Sequence, residues 1–337
     1  MEGVLITGGA GYIGSQAAKE LRSLGYQPIV LDNFSTGRLE SVQWGPVIEA
    51  DAGDKKALSE VLTENQVKAV LHFAAFADVG ESMREPGKYL QNNYLTTVAL
   101  LEAMEKTGVR NLVFSSTCAT YGVPRSVPVS ESHPQRPISP YGQSKLLAEV
   151  AVREFGLRGV LNWVVLRYFN AAGLDPERDY SSQNEPDFRI IPRVLQTAAG
   201  LRPALDLYGE NHETPDGTAV RDFVHVTDLA KAHALSLEYL LGGGESRAFN
   251  LGSGHGYSVR EVIESARRVT GRQVPYRGLE RRLGDPPALV ADIGAAESVL
   301  GWKSSYRELD EIVETSWRWY AAGMEPQAAA LSQAGNG

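Results

Sequence analysis

The feature that most constrains the fold is an alternation, through the first half of the chain, of short apolar runs with stretches of helical spacing. The apolar runs, rich in β-branched residues and bounded by turn residues, are 4–7, 28–32, 46–51, 69–75, 111–117 and 163–170. Helical spacing lies between them at 14–24, 55–64, 88–106 and 141–155. Strands that are apolar on both faces and alternate with helices form parallel sheets covered on both sides. The sequence therefore predicts an α/β fold with a Rossmann-like doubly wound parallel sheet.

The pattern loosens after Asn170, where Pro, Gly, Asp, Glu and Asn become frequent. A helix is predicted at 190–200, a strand and a helix follow residue 221, a buried strand lies at 248–254, and another helix is predicted at 258–270. We predict that 1–170 and 222–254 form the sheet domain, and that 171–221 and 255–325 form a smaller α/β substrate domain. The small polar residues of 326–337 predict a disordered tail.

Charge and cysteine content limit the class of protein and its partners. A net charge of −8 over 337 residues argues against a broad surface for nucleic acid or anionic lipid. No apolar run approaches the roughly 20 residues of a membrane helix. A single cysteine, Cys118, permits no intramolecular disulfide, and the N-terminal residues lead into a strand without a basic and apolar leader. We expect a cytoplasmic protein that binds neither nucleic acid nor membrane.

A glycine-rich loop, "TGGAGYIG", follows the first predicted strand. Gly8, Gly11 and Gly14 permit a tight turn and a close approach of backbone to a diphosphate, and the next helix points free N–H groups at that anion. Asp32 ends the second strand, 18 positions after Gly14, where a carboxylate binds ribose hydroxyls. That carboxylate would repel a 2′-phosphate, so the pattern predicts NAD rather than NADP.

The stretch "SPYGQSK" places Tyr141 and Lys145 one helical turn apart, so both lie on the same helix face. A phenol has an ordinary pKa near 10, and a nearby cation lowers the pKa and makes it a usable base. Tyr141 is then predicted to take a proton from an alcohol whose hydride passes to NAD. Thr117 ends the fifth strand, at the edge that lines the ligand crevice, although a local hydrogen bond is an equal explanation for its hydroxyl.

The combined motifs resemble the extended short-chain dehydrogenase/reductases and, among them, the UDP-glucose (UDP-galactose) 4-epimerases. The resemblance extends from about residue 3 to about residue 320. It rests on "TGGAGYIGS", "LDNFSTG", "HFAAFADVGESM", "NNYLTT", "FSSTCATYG", "SPYGQSK", "LRYFNAAG", "DGTAVRDFVHVTDLAKAH", "FNLGSG" and "RRLGDPPALVAD". The Tyr/Lys pair marks only the superfamily, whereas "FSSTCATYG", "DGTAVRDFVHV" and "RRLGD" together are much more specific.

The resemblance implies a reversible C4 epimerisation of UDP-galactose and UDP-glucose through a transient 4-keto sugar, with tightly bound NAD. It assigns catalysis to Tyr141, Lys145 and Thr117, with Thr117 bound to the reacting oxygen. It makes the sheet domain NAD-binding and the smaller domain UDP-sugar-binding. It also implies a homodimer that packs through helices near 88–106 and 141–155.

Site residues follow from the same motifs. The cofactor-binding residues are predicted to be Gly8, Gly11, Tyr12, Ile13, Gly14, Asp32, Asn33, Ser35, Asp51, Ala52, Phe73, Ala74, Ala75, Asn92, Tyr141, Lys145 and Phe169. The UDP-sugar-binding residues are predicted to be Thr117, Asn170, Arg189, Tyr208, Arg221, Arg282, Asp285 and Leu289. Nothing has the spacing of metal ligands.

Three positions depart from the family pattern. Ala77 stands where many of these epimerases carry a lysine that reaches the NAD phosphates. Arg189 replaces the usual Asn or His beside the substrate phosphates. Leu289 is intermediate between a large residue that favours plain hexoses and a small one that admits an N-acetyl group.

Other activities remain open on the sequence. A 4-epimerase of UDP-arabinose/UDP-xylose or UDP-N-acetylglucosamine is the alternative within catalysis, and an NAD-binding scaffold without activity is the alternative outside it. A dehydratase needs an acid/base carboxylate pair after Thr117, where this chain has Cys118 and Ala119.

Overall fold

The structure, a computed structural model, describes residues 1–179, 182–183, 185–282 and 285–334, and only the backbone of 323–334. The strands are β1 Gly3–Thr7, β2 Gln27–Asp32, β3 Val47–Glu49, β4 Val67–His72, β5 Asn111–Thr117, β6 Asn162–Tyr168, β7 Asn170–Ala172, β8 Leu205–Tyr208, β9 Val220–His225, β10 Arg247–Leu251, β11 Gly256–Ser258, β12 Tyr276–Leu279 and β13 Ala288–Leu289. The α-helices are α1 Tyr12–Ser23, α2 Lys55–Glu64, α3 Val79–Arg84, α4 Pro86–Tyr89, α5 Thr96–Thr107, α6 Pro140–Leu157, α7 Ile190–Ala198, α8 Val226–Leu241, α9 Val259–Thr270, α10 Gly294–Leu300 and α11 Leu309–Ala334.

The main sheet has seven strands in the order β10-β6-β5-β4-β1-β2-β3, and every pair of neighbours is parallel. Its strands are almost continuously buried, as expected for runs that are apolar on both faces. The strand order reverses direction between β1 and β4, which makes their carboxyl ends the topological switch point. The predicted doubly wound α/β fold is confirmed.

Two apolar layers cover this sheet. One joins β-strand residues to α1, α8 and α10, and the other joins them to α2, α5 and α6. Side-chain caps fix where several helices begin: Asp54 accepts from the backbone N–H groups of Lys56 and Ala57 at the start of α2, and Ser139 accepts from Gly142 at the start of α6. The predicted helix at 88–106 is interrupted, because a π-helical segment, Leu90–Leu95, joins α4 to α5.

The second part of the molecule has smaller sheets. Strands β11, β9, β13 and β7 form one of them, β12 and β8 form another, and α7, α9 and α11 share an apolar cluster with them. Strand β9 therefore pairs outside the main sheet, whereas α8 packs on α1 and β10 joins β6. The return of 222–254 to the main sheet is thus seen for its later elements only, and the two-domain division stays a prediction.

Helix α11 continues through the region where a disordered tail is predicted, as far as Ala334, and residues 335–337 lie outside the described residues. Among the helices of the described chain, none combines the length and apolar character needed to cross a membrane.

Candidate active site

Two adjoining cavities open at the carboxyl ends of the main-sheet strands. The first has a volume of about 720 Å³ and the second about 680 Å³, each within the range typical of ligand-binding cavities. The described residues that line both cavities are Ala77, Asp78, Tyr141, Tyr168, Glu185, Phe188 and Arg189. A ligand in one cavity can therefore meet a ligand in the other beside these side chains.

The glycine-rich loop forms the wall of the first cavity at the switch point. Gly8 has φ +71°, and a Cβ there would lie 2.6 Å from the backbone nitrogen of Ala74, in the loop after β4. A Cβ on Gly14 would meet the carbonyl oxygen of Gly8. Gly11 precedes α1 without a side-chain cap, and a Cβ there would meet only the Gly8 carbonyl within contact distance. The loop therefore presents bare backbone and a helix N-terminus to the cavity, which suits a diphosphate.

Asp32 lies beside this loop at the end of β2. Its carboxylate accepts backbone N–H groups from Ala10 and Phe34, both at 2.9 Å, and only 7% of the residue is exposed. Burial raises the pKa of Asp32, and the two backbone hydrogen bonds oppose that shift. An ionised carboxylate with free lone pairs on a cavity wall suits the hydroxyls of an adenosine ribose. Asn33 donates to Asp51 at 2.8 Å on the same wall.

NAD fits the first cavity on these observations, because the wall offers both the bare backbone for a diphosphate and the buried carboxylate for a ribose. All but one of the predicted cofactor-binding residues line it: Gly8, Gly11, Tyr12, Ile13, Gly14, Asp32, Asn33, Ser35, Asp51, Ala52, Phe73, Ala74, Ala75, Asn92, Tyr141 and Lys145. The exception is Phe169, which lines the second cavity instead. Its backbone N–H bonds to Leu251 of β10, and this pairing turns the chain away from the first cavity beyond β6.

Tyr141 and Lys145 project from the first turns of α6. Tyr141 lines both cavities and Lys145 the first one only. Thr117 lines the second cavity at the end of β5, where its Oγ1 accepts the N–H of Ala119 at 3.1 Å. Its hydroxyl is also hydrogen-bonded to Tyr141. The local bond and the contact with the phenol therefore occur together, since one uses the lone pair of Thr117 and leaves its hydrogen free to donate.

Burial decides the charges at this point. It raises the pKa of Tyr141, against the hydrogen bond from Thr117 and the positive charge of Arg189. It lowers the pKa of Lys145 to about 7, against the attraction of Glu149. Lys145 is 2% exposed, with its Nζ 4.3 Å from the centroid of the Phe114 ring. In the protein alone, the cation that favours the phenolate of Tyr141 is Arg189, whereas the sequence predicts Lys145.

The predicted UDP-sugar-binding residues all line the second cavity: Thr117, Asn170, Arg189, Tyr208, Arg221, Arg282, Asp285 and Leu289. Several of them bind one another. The Arg221 guanidinium forms an ion pair with the Asp285 carboxylate. The guanidinium carbon of Arg282 lies 3.8 Å from the centroid of the Tyr208 ring. A planar base that stacks on Tyr208 from this side takes the place of Arg282.

Three residues at the junction of the cavities were not predicted from the sequence: Tyr168, Glu185 and Phe188. Tyr168 stands in the quoted motif "LRYFN", and its hydroxyl is hydrogen-bonded to Ser115, so its place at a strand end was the available signal. Glu185 and Phe188 belong to the aperiodic segment after Asn170, which gives no such signal. Burial raises the pKa of Glu185 to about 6.

Ala77 also lies at this junction, so no lysine reaches the cavities from position 77. His72 and His225, which the sequence places on strands, are buried and hydrogen-bonded. The ring of His72 bonds to Thr7 and Thr97, and burial lowers its pKa to about 3. Burial lowers the pKa of His225 to about 4. Both imidazoles are therefore neutral near pH 7 and serve packing.

Comparison with known proteins agrees with this geometry. The family model described as "NAD dependent epimerase/dehydratase family" matches residues 4–252. A UDP-glucose 4-epimerase of Rhizobium leguminosarum bv. trifolii is 47% identical over 320 residues, 95% of this chain and 98% of that protein.

Solved structures are similar over the same length. The UDP-glucose 4-epimerase of Brucella ovis in complex with NAD has a TM-score of 0.90 and 46% identity, over 95% of this chain and 98% of that chain. That of Stenotrophomonas maltophila, with bound NAD and formylated UDP-arabinopyranose, has a TM-score of 0.92 and 36% identity, over 97% and 100%. The family predicted from the motifs is thus confirmed: the chain belongs to the NAD dependent epimerase/dehydratase family, and to its UDP-glucose 4-epimerases it is similar along nearly its whole length.

Proposed function

We propose that this protein interconverts UDP-galactose and UDP-glucose by inverting C4 through a transient 4-keto sugar, with NAD retained in the first cavity. The observation that carries the proposal is the position of Tyr141, which lines both cavities and is hydrogen-bonded to Thr117. A phenol at this point faces the cofactor on one side and the sugar on the other. When bound, NAD supplies a reversible acceptor for the hydride of C4.

The proton is handled by the protein itself. The Oη of Tyr141 takes the proton of the C4 hydroxyl during oxidation and returns it after the sugar has turned over. Thr117 accepts the Ala119 N–H at 3.1 Å and keeps its own hydrogen to donate, so it orients the reacting oxygen and can pass the proton to Tyr141. Lys145 would bind the cofactor ribose and, when charged, favour the phenolate.

The second cavity holds the nucleotide sugar. Arg221 and Arg282 would bind the diphosphate, since guanidinium groups match phosphate oxygens. Tyr208 would stack on uracil, and Asn170 and Asp285 would contact the diphosphate and the uridine ribose. Leu289, which lines the same cavity, would stand at the sugar. Because the 4-keto sugar must turn over before reduction, this end of the cavity has to hold it without fixing one face.

The test uses the purified protein with UDP-galactose and no added NAD, and follows UDP-glucose by chromatography. We expect a mixture of the two sugars without net formation of NADH. If no UDP-glucose forms even after NAD is supplied to the folded protein, the hexose assignment fails. UDP-arabinose and UDP-N-acetylglucosamine are then the next substrates to measure.

We also propose a cytoplasmic homodimer. Large apolar side chains are exposed along the two helical segments expected at its interface, Leu90 and Leu95 before α5 and Val150 and Leu157 on α6. Light scattering should give twice the chain mass for the wild type and the single mass for Val150→Asp. A monomeric wild type contradicts the dimer, and cell fractionation tests the compartment.

A further inference from the structure

The residues shared by the two cavities carry an inference that rests on the proposed function and concerns how Tyr141 is kept reactive. Among the described residues that line both cavities, Arg189 is the only cation. The family's lysine is absent from this junction, since position 77 is alanine. Lys145 lines the first cavity alone.

Arg189 is held rigidly at this junction. It precedes α7, and its Nη1 donates to the carbonyl oxygen of Ala171 at 2.6 Å. Its guanidinium carbon lies 5.4 Å from the centroid of the Tyr12 ring and 5.7 Å from that of Phe188. These contacts fix the position of the charge without neutralising it.

The guanidinium of Arg189 also keeps an unused donor. Its Nε is buried and makes no hydrogen bond to any described part of the chain. A buried donor without a partner is costly, so a ligand oxygen in one of the two cavities is the expected acceptor.

We propose that Arg189 is a positioning residue for Tyr141: its fixed guanidinium supplies the positive charge that favours the phenolate, the role that the helix spacing assigns to Lys145. Through Tyr141, Arg189 sets the pH range in which the proton of the C4 hydroxyl can be taken. The proposal goes beyond a contact with substrate phosphate, because its effect is on a proton and not only on binding.

Glu185 is the counter-charge of Arg189. It lines the same two cavities, and its carboxylate accepts from the Ser316 hydroxyl at 2.6 Å and from the Gly173 N–H at 3.3 Å. The charge of Arg189 holds the pKa of Glu185 down against burial, which shows that the two groups interact. An ionised Glu185 weakens the positive field at Tyr141, whereas a protonated one leaves it at full strength.

The other titratable groups around Tyr141 and Arg189 come from several elements. Tyr12 is on α1, Cys118 follows β5, Tyr168 ends β6, and Lys145 is on α6 beside Tyr141. Burial raises the pKa of Tyr12, Cys118 and Tyr168, so all three stay neutral near pH 7. Below pH 8, the groups that change charge here are Glu185 and Lys145, and Lys145 is left intact in the variants below.

The experiment is the pH profile of kcat and KM for UDP-galactose, measured on the NAD-containing enzyme. For Arg189→Gln we expect the acid limb of kcat to move up by about one pH unit, as expected for loss of a nearby opposite charge. Arg189→Lys should restore much of the shift. The matched control is Arg193→Gln, on the same helix, whose guanidinium donates to the Asp187 carbonyl and which should leave the limb in place.

The opposite charge gives a second, independent arm. Glu185→Gln should move the acid limb down, because it removes the negative charge that opposes Arg189. If Arg189→Gln fails to fold or to retain NAD, this variant decides alone, and an unchanged or raised limb overturns the proposal.

Binding and proton transfer are separated by the same profiles. If Arg189→Gln raises KM but leaves the limb where it was, Arg189 binds diphosphate only and the proposal is wrong. A rise in KM together with the shifted limb supports both roles. NAD content and UDP binding, each measured without turnover, identify whether the Nε serves the cofactor diphosphate or that of the sugar nucleotide. An inactive wild type would instead contradict the proposed function, so the two failures are distinguishable.

Discussion

The two cavities meet at one tyrosine but are built in different ways. The first is shaped by backbone: Gly8 approaches the loop after β4, and Asp32 is fixed by two backbone N–H groups. The second is shaped by side chains that occupy one another, with Arg221 on Asp285 and Arg282 over the Tyr208 ring. The cofactor half is thus preformed, whereas the substrate half must exchange internal contacts for contacts with the ligand.

This difference has a thermodynamic meaning. A preformed wall loses little conformational freedom when its ligand binds, which favours tight retention. A wall whose charged groups are already paired binds a diphosphate only by the difference between new and old contacts. Such a half releases its ligand more readily, as an enzyme that keeps its cofactor and turns over its substrate requires.

The largest effect is expected where the two halves meet. Tyr141→Phe should lower kcat by about 10³-fold, because it removes the group that moves the proton. NAD content and UDP binding should stay near wild type, since both cavities keep their walls. Tyr276→Phe is the control, a Tyr on β12 whose hydroxyl accepts from Arg260 and which lines neither cavity. A Tyr141→Phe enzyme with more than a tenth of wild-type kcat contradicts the assignment.

The next prediction breaks the cofactor half alone. Gly8→Ala should lower the free energy of unfolding by about 3 kcal/mol, since a Cβ would lie 2.6 Å from the Ala74 nitrogen and the residue has φ +71°. The purified variant should also lose bound NAD, measured by absorbance after release. Gly87→Ala is matched to it, because a Cβ there meets nothing within 4 Å. Wild-type stability and NAD content in Gly8→Ala would show that this wall is not rigid.

The substrate half is tested by a charge that the first cavity does not use. Arg221→Gln should raise KM for UDP-galactose by about 10- to 100-fold, the value of one to two charge-assisted hydrogen bonds. NAD content should not change. Arg268→Gln is the control, because it breaks an ion pair of 2.7 Å with Asp310 that lies outside both cavities. A loss of NAD from Arg221→Gln would contradict the separation of the two halves.

The same contrast explains what the sequence could predict. The run 111–117 matches β5, Asn111–Thr117, because a strand apolar on both faces specifies itself and its end. Once strand ends are known, the glycine loop, Asp32 and Thr117 follow at the same sheet edge. The pairing of Arg221 with Asp285 joins residues 64 positions apart, and only tertiary packing brings them together. Glu185 lies in a segment without periodicity, so neither its burial nor its place between the cavities could be predicted.

One property of the cofactor half is not preformed, and it gives the smallest predicted effect. Burial lowers the pKa of Lys145 to about 7, from 10.5 in an unfolded chain. Between these values the unfolded chain holds a proton that the folded NAD-free protein has released, so the free energy of unfolding rises with pH through this window. As the pH falls from 10.5 toward 7 that contribution is lost, and below 7 the buried ammonium is fully destabilising. Lys145→Met should therefore stabilise the NAD-free protein by about 1 kcal/mol at pH 7 and by less at pH 9, measured by urea unfolding. Lys106→Met, an exposed lysine on α5, should show no such pH dependence. An equal effect of Lys145→Met at both pH values would mean that Lys145 keeps its ordinary charge in the wall, and that the first cavity is preformed in its electrostatics as well as in its backbone.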